Sequence, residues 1–505
     1  MSRLARDIGL MALATGISRL FGLAREVVIA DHFGATAAYD AFLIAFFIPQ
    51  FLRQLLAEGA LATAFVPLYT RLRVSSDDAD RFANNLFSLL LVSYPLVVIL
   101  GVVLAPYYVP FLASGFPPDK VSLTVSLARI VFPFIALIGF GALFMGILNS
   151  HHRFFSASFA PVWFNVGMII GAIFVSTRFP GRPIYGLALG VLIGGGGQLI
   201  SQLPSIRAIG FRLKFTLFPL HPAILELIKR IVPAVLILAV AQVNMLVDNK
   251  LASHLGDGSI SALQYAMRLF QLPLGVFAVS IATALLPRLS AAEASGEKGR
   301  FSRYLSDGIL SSAFILLPAM VGLFAVGPDL IRLLFQHGSF HSADTVRTAR
   351  ALSFYVIGLL PYGLVYVQTR ACYAIGRTIF PLLASILAVG TNVGLDLALV
   401  GPLREGGLAL ATAVAGVVNA IALLFFLRPW LGPGRRLLER IGILGLSSGL
   451  LGGVLIGLRF LLNGASPGIS VLVLTVSGGA VYLAVTRLAG MWDLFSGGEG
   501  PVQRL

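Results

Sequence analysis

Charge is scarce in this sequence and cysteine is nearly absent. Asp, Glu, Lys and Arg make up only 12% of its 505 residues, against 57% hydrophobic residues, and the mean hydropathy is +0.90. The single cysteine, Cys372, excludes an intramolecular disulfide and any multi-cysteine metal site. HExxH, P-loop and nucleophile-elbow patterns are all missing, so zinc-hydrolase, nucleotide-binding and serine-hydrolase chemistries have no motif to rest on. Long polar stretches are missing too. The connections between apolar runs are short, which leaves no room for a soluble domain of useful size.

What is present is apolar sequence in membrane-spanning lengths. A bilayer core takes about 20 apolar residues per helix, and about fourteen candidate spans follow. They start near residues 8, 38, 85, 122, 157, 184, 225, 260, 306, 349, 379, 405, 438 and 468. The expected fold is therefore an all-α polytopic membrane protein. Arg3 and Arg6 precede an apolar run as in a signal peptide, but the run continues past Gly16 towards Ala30 without a convincing cleavage site. It reads as a retained first helix.

The net charge of +15 is distributed in a way that argues against nucleic acid. Basic residues gather in alternate loops: Arg71, Arg73 and Arg81; Arg207, Arg212, Lys214, Lys229 and Arg230; Arg288, Lys298, Arg300 and Arg303; Arg428, Arg435, Arg436 and Arg440. This is the positive-inside bias, and with an even number of spans it places both termini in the cytoplasm.

The chain carries an internal duplication. Ala30-Asp31-His32-Phe33-Gly34 returns as Ala252-Ser253-His254-Leu255-Gly256, and Ala62-Thr63-Ala64-Phe65-Val66-Pro67 returns as Ala282-Thr283-Ala284-Leu285-Leu286-Pro287. The offsets, 222 and 220, nearly agree. The expected division is an N-lobe of six helices over 1–205, an amphipathic cytoplasmic linker over 206–224, a C-lobe of six helices over 225–428, and an extra helix pair with the C-terminal tail over 429–505. Lobes of equal, even span number repeat in parallel topology, an architecture of secondary transporters. Pro49 and Pro273 would kink corresponding helices.

Five charged residues fall in the first two spans: Arg19, Arg25, Asp40, Arg53 and Glu58. A centrally placed Arg costs roughly 3 kcal/mol on insertion scales, so these side chains are expected to face a shared, wet interior. A cationic interior implies an anionic passenger. The alternative, strongest for Arg25, is a helix-end position from which the side chain snorkels to phosphates. A second group lies in the later spans: Asp248, then Asn392 and Asp396 four residues apart on one helix face, and Thr412. Two carboxylates, an amide and a hydroxyl are hard oxygen ligands suited to an ion such as Na⁺. The alternative is helix-end contact with water, or protonation.

Several strings resemble one family. Gly16-Ile17-Ser18-Arg19-Leu20-Phe21-Gly22-Leu23-Ala24-Arg25-Glu26, Tyr39-Asp40-Ala41-Phe42, Ile48-Pro49, Leu52-Arg53 and Ala57-Glu58-Gly59-Ala60 through Pro67 are similar to the MurJ (MviN) lipid II flippases of the multidrug/oligosaccharidyl-lipid/polysaccharide exporter superfamily. So are Gly146-Ile147-Leu148-Asn149, Phe159-Ala160-Pro161 with Asn165, and Tyr265-Ala266 with Arg268. The resemblance covers nearly the whole chain. It implies a non-enzymatic carrier moving undecaprenyl-pyrophosphate-linked disaccharide-pentapeptide from the inner to the outer leaflet of the bacterial cytoplasmic membrane. It implies a substrate site of Arg19, Arg25, Arg53 and Arg268, with Asp40 and Glu58 as associated acids, and a groove at the extra helix pair for the lipid tail. It also matches the Na⁺ ligands above to a family sodium site that a backbone carbonyl, here that of Leu408, completes. Lipid II and membrane lipids are the expected partners of a monomer, with the cell-wall synthesis machinery as a candidate associate. Where some members carry acids, this chain has Met267 and Gln271, which makes its cavity more cationic.

Two other readings compete. A cation-coupled drug antiporter of the same superfamily would have twelve spans and fewer cavity arginines. A membrane enzyme acting on polyprenyl phosphates would need clustered acids, and Asp77, Asp78 and Asp80 form such a cluster; as a solvated loop they require no such role.

Overall fold

The computed structural model describes residues 3–54, 60–75, 78–216, 218–432 and 434–491. Among these every regular element is a helix. Packing divides the chain into two units, Met1–Ser261 with Gly338–Phe340, and Ala262–His337 with His341–Leu505. The first unit holds α1 (Arg3–Phe33), α2 (Ala37–Arg53), α3 (Ala60–Ser75), α4 (Ala79–Leu112), α5 (Pro118–Val131), α6 (Phe134–Ser150), α7 (Phe154–Ile170), α8 (Ile184–Ile200), α9 (Leu203–Ala208) and α10 (Ala223–Ala252). The division falls within α11 (Ser259–Pro273), and α12 (Val279–Ala294), α13 (Lys298–Phe335), α14 (Ser342–Ile357), α15 (Leu359–Ala374), α16 (Ile379–Leu403), α17 (Glu405–Leu427), α18 (Gly434–Leu461) and α19 (Pro467–Leu488) follow.

Among the described residues, ten helical segments are long and apolar enough to cross a bilayer, and eleven if the pair α14 and α15, bent by 44°, forms one span. The three expected spans beyond these eleven correspond to α1, the α2–α3 pair and α10. α1 and α10 have the length, at 31 and 30 residues, and parts of both lie outside the described side chains. α2 and α3 are shorter, at 17 and 16 residues, and residues 55–59 between them lie outside the described set. The interruptions elsewhere follow proline chemistry. Pro133 cannot continue the backbone ladder and separates α5 from α6; after Pro273 the chain makes a π turn over Leu274–Ala278 before α12.

Segment 206–224, expected as an amphipathic linker, begins in the short α9 and continues without regular structure over 211–216. Side chains of α4 hold it. Asn84 Nδ2 donates to the Arg212 carbonyl at 3.2 Å while its Oδ1 accepts from Lys214 N at 2.7 Å. Ser88 Oγ accepts from Thr216 N, and Asn85 Oδ1 from His221 N, each at 2.7 Å. Polar side chains on a spanning helix thus satisfy backbone that no sheet or helix serves. Beyond it, Glu226 on α10 accepts from Arg71 on α3 and from Arg230, both at 2.6 Å.

In the second unit the extra pair packs on α13. Tyr482 donates to the Phe314 carbonyl at 2.8 Å, Arg459 donates to the Ala325 carbonyl at 2.9 Å, and Leu451, Leu455 and Leu474 fill the space between.

The first unit depends on a close crossing of α7 and α8. A Cβ built on Gly167 would lie 2.2 Å from Gly194 Cα, and one on Gly194 would lie 2.6 Å from the Phe164 carbonyl oxygen. Small residues let membrane helices approach backbone to backbone, where dispersion supplies the attraction that lipid-solvated side chains do not. Replacing Gly194 by Val should therefore lower the thermal unfolding midpoint of the detergent-solubilised protein, with an overpacking cost of about 1–3 kcal/mol. Gly196→Val, where a Cβ meets nothing within 4 Å, should leave it unchanged. Equal midpoints for the two variants would show that the crossing tolerates separation.

Candidate functional site

That crossing fixes Phe164 and Asn165 on α7, and two of the expected arginines converge on them. The Arg25 guanidinium lies 5.8 Å from the Phe164 ring centroid and that of Arg53 lies 5.6 Å from it. Both distances suit cation–π attraction. Arg25 also donates to Asn165 Oδ1 at 3.0 Å, approaches Met168 Sδ at 3.8 Å and pairs with the buried Glu26. Asn165 in turn donates to the Ser18 carbonyl at 3.3 Å, which ties α7 to α1. Arg53 Nε donates to Gln50 Oε1 at 3.1 Å. The Phe164 ring packs against Phe46 of α2 and Phe134 of α6, with centroids 6.2 and 5.3 Å away. A rigid aromatic platform therefore carries two guanidiniums from two helices.

The other expected residues separate from this pair. Arg19 is exposed, about 9 Å along α1 from Arg25. Arg268 is half-buried on α11 in the second unit, and Glu58 lies outside the described residues. Asp40 stands thirteen residues before Arg53 on α2, about 20 Å along the axis, so in this structure it is not part of the arginine pair.

Asp40 has a different office. It is fully buried, and four donors converge on its carboxylate: Lys120 Nζ at 3.0 Å, Gly258 N at 2.7 Å, Ser261 N at 2.8 Å and Ser261 Oγ at 2.6 Å. Lys120, at the start of α5, also reaches the exposed Asp257 at 2.8 Å and lies 4.0 Å from the Phe116 ring centroid. This clasp joins α2, α5 and the start of α11 with the turn before it.

The candidate cation ligands fall in both units. Asp248 is on α10 of the first. In the second, Asn392 and Asp396 on α16 and Leu408 on α17 are fully buried, and Thr412 is 7% exposed. Thr412 Oγ1 donates to the Leu408 carbonyl at 3.0 Å, which leaves oxygen lone pairs on both groups. Among the described residues no three His, Cys, Asp or Glu side chains gather to hold a metal. A cation at these residues would rest on mixed carboxylate, amide, hydroxyl and carbonyl oxygens. An apolar groove of about 350 Å³ runs beside the extra pair, lined by Met320, Val321, Phe324, Ile357 and Ile456 with Arg459 among them.

A family profile described as "Lipid II flippase MurJ" matches residues 29–496. The chain belongs to the MurJ family. A probable lipid II flippase MurJ of Thermotoga maritima is 32% identical over 96% of this chain and 96% of its own length. One of Rhizobium meliloti is 34% identical over 94% and 91%. A solved structure described as lipid II flippase MurJ in an inward closed conformation superposes with a TM-score of 0.83 at 30% identity, covering 96% of this chain and 99% of that one. An inward-facing multidrug transporter of the MATE family, at 18% identity and a TM-score of 0.68, shares the fold.

Within this MurJ fold, sequence reasoning missed Phe164, Glu26 and Lys120 as working residues. Phe164 is one aromatic among 37 phenylalanines and carries no local signal. Lys120, a lone cation in the first turn of an apolar helix, was the signal that asked for a buried partner. Breaking a buried pair by removing one charge costs about 3–5 kcal/mol, so Asp40→Asn and Lys120→Met should each strongly lower the thermal midpoint. Asp257→Asn, at a side chain 65% exposed, should cost at most about 1 kcal/mol. Similar losses for Asp40→Asn and Asp257→Asn would remove the clasp as a stability element.

Proposed function

We propose that this chain is a lipid II flippase, moving the polyprenyl-pyrophosphate-linked peptidoglycan precursor from the inner to the outer leaflet of the bacterial cytoplasmic membrane by alternating access. The observation that carries the reading is the pair of guanidiniums, Arg25 and Arg53, against one ring inside a membrane-spanning unit. Planar guanidinium forks suit multi-oxygen anions such as pyrophosphate, and a drug cation would be repelled there. Arg19 extends the binding set in this reading, Arg268 supplies a further cation in the second unit, and part of the polyprenyl tail occupies the apolar groove beside α18. Translocation breaks no covalent bond. The arginines bind and release, and no residue is catalytic. The basic alternate loops put both termini in the cytoplasm, which sets the Asp40 clasp at the outer end of α2, where it keeps that end shut while substrate enters from within.

Arg53→Ala, expressed at wild-type level in the membrane, should fail to support growth of a conditional flippase-null bacterium, while Arg53→Lys, which keeps the charge without the planar fork, should rescue partially. Growth at the wild-type rate with Arg53→Ala would take that residue out of the site.

The cation reading supports the same function. Asn392, Asp396, Thr412 and the Leu408 carbonyl, all of the second unit, would hold Na⁺, which would neutralise an acid that is costly in a membrane interior. Na⁺ should then raise the thermal midpoint of the solubilised protein more than K⁺ does, and Asp396→Ala should abolish the difference. Equal midpoints of the wild type in the two salts would count against the site.

A further inference from the structure

A second cationic locus lies away from the arginine pair, at the start of α4. Asp80, Arg81, Asn84, Gly210, Arg212, Lys214 and Thr216 line a polar cleft of about 310 Å³. Three of these side chains are cationic and one is acidic, and Asp80 already accepts from Tyr69 at 3.0 Å. Among the described residues no ion pair engages Arg81, Arg212 or Lys214. The wall they stand on is held in place, because Asn84, Asn85 and Ser88 of α4 bind the backbone of residues 212–216. Apolar side chains alternate with the cations and are left uncovered: Leu213 is 39%, Phe215 63% and Phe218 76% exposed.

We propose that this cleft binds the anionic headgroup of a membrane phospholipid. The inference rests on the chain being membrane-spanning, whatever it transports. The segment joins the end of one span, Ile184–Ala208, to the start of α10, and it lies against the first turns of another span, Ala79–Leu112. It is therefore at headgroup depth. A cation row beside outward-facing Phe and Leu has the amphipathic pattern of interfacial segments, with phosphate as the anion at that depth. A soluble anion would have no use for the exposed rings. A cleft of this volume takes a phosphoglycerol, whereas the disaccharide-pentapeptide of a peptidoglycan precursor is much larger.

The test uses the purified full chain in nonionic detergent and measures retention of fluorescent phosphatidylglycerol against fluorescent phosphatidylcholine. Phosphatidylglycerol should be retained preferentially. Arg212→Gln/Lys214→Gln should weaken it roughly thirty-fold, and Arg81→Gln roughly fivefold. The exposed pair Lys298→Gln/Arg300→Gln should behave as wild type, and so should wild type in the presence of millimolar inorganic phosphate. If the double variant does not fold, as judged by its thermal midpoint, Arg81→Gln decides alone. Unchanged retention in the cleft variants, equal retention of the two lipids, or displacement by inorganic phosphate would each overturn the proposal. So would displacement of the label by undecaprenyl pyrophosphate at lower concentration than by unlabelled phosphatidylglycerol, in Arg53→Ala as in wild type. That outcome would assign the cleft to the carrier lipid.

Discussion

An ion taken out of water into hydrocarbon loses hydration that is returned only by a counter-charge, directed hydrogen bonds or a wet cavity. That constraint governs every charged residue this chain places along its spans. Asp40 regains its hydration from a lysine, a hydroxyl and two backbone amides. Arg25 regains it from Glu26, Asn165 and the face of Phe164. The two solutions differ in kind. Around Asp40 the donors are on two segments remote in sequence from α2, so the charge cements the fold. Around Arg25 the partners are on its own helix and on α7, and one of them is an aromatic face, a weak ligand beside a phosphate.

Rigidity of the second arrangement comes from residues with no charge at all. Gly167 and Gly194 let α7 and α8 meet at backbone distance, and the Phe164 backbone is itself part of that contact. Its ring is also wedged between Phe46 and Phe134. The guanidiniums are therefore aimed by packing, and their positions do not depend on a substrate being present. Preorganisation of this kind reduces the ordering cost of binding.

The amount of this legible in the sequence follows from which signals are periodic or rare. Apolar runs at spanning length made the all-helical membrane fold readable, and rare charges in those runs singled out Arg25, Arg53 and Asp40. Residue rarity could not distinguish their duties. Asp40 and Arg53 lie on one helix in the same family string, yet end about 20 Å apart, because α2 carries them at opposite ends. Phe164 was invisible for the opposite reason: aromatic residues in an apolar helix are common, and only the tertiary approach of two arginines makes this one different.

A carrier must release what it binds, and the pairing of Arg25 with Glu26 bears on that requirement. An anion that approaches Arg25 does not meet a bare guanidinium, which would hold it with the full strength of a charge pair at low dielectric. It competes with a carboxylate already in place and with the Asn165 amide. Binding is then an exchange of partners, in which the gain from the new anion is offset by the loss of the old one, and release returns the guanidinium to Glu26 without stranding a charge.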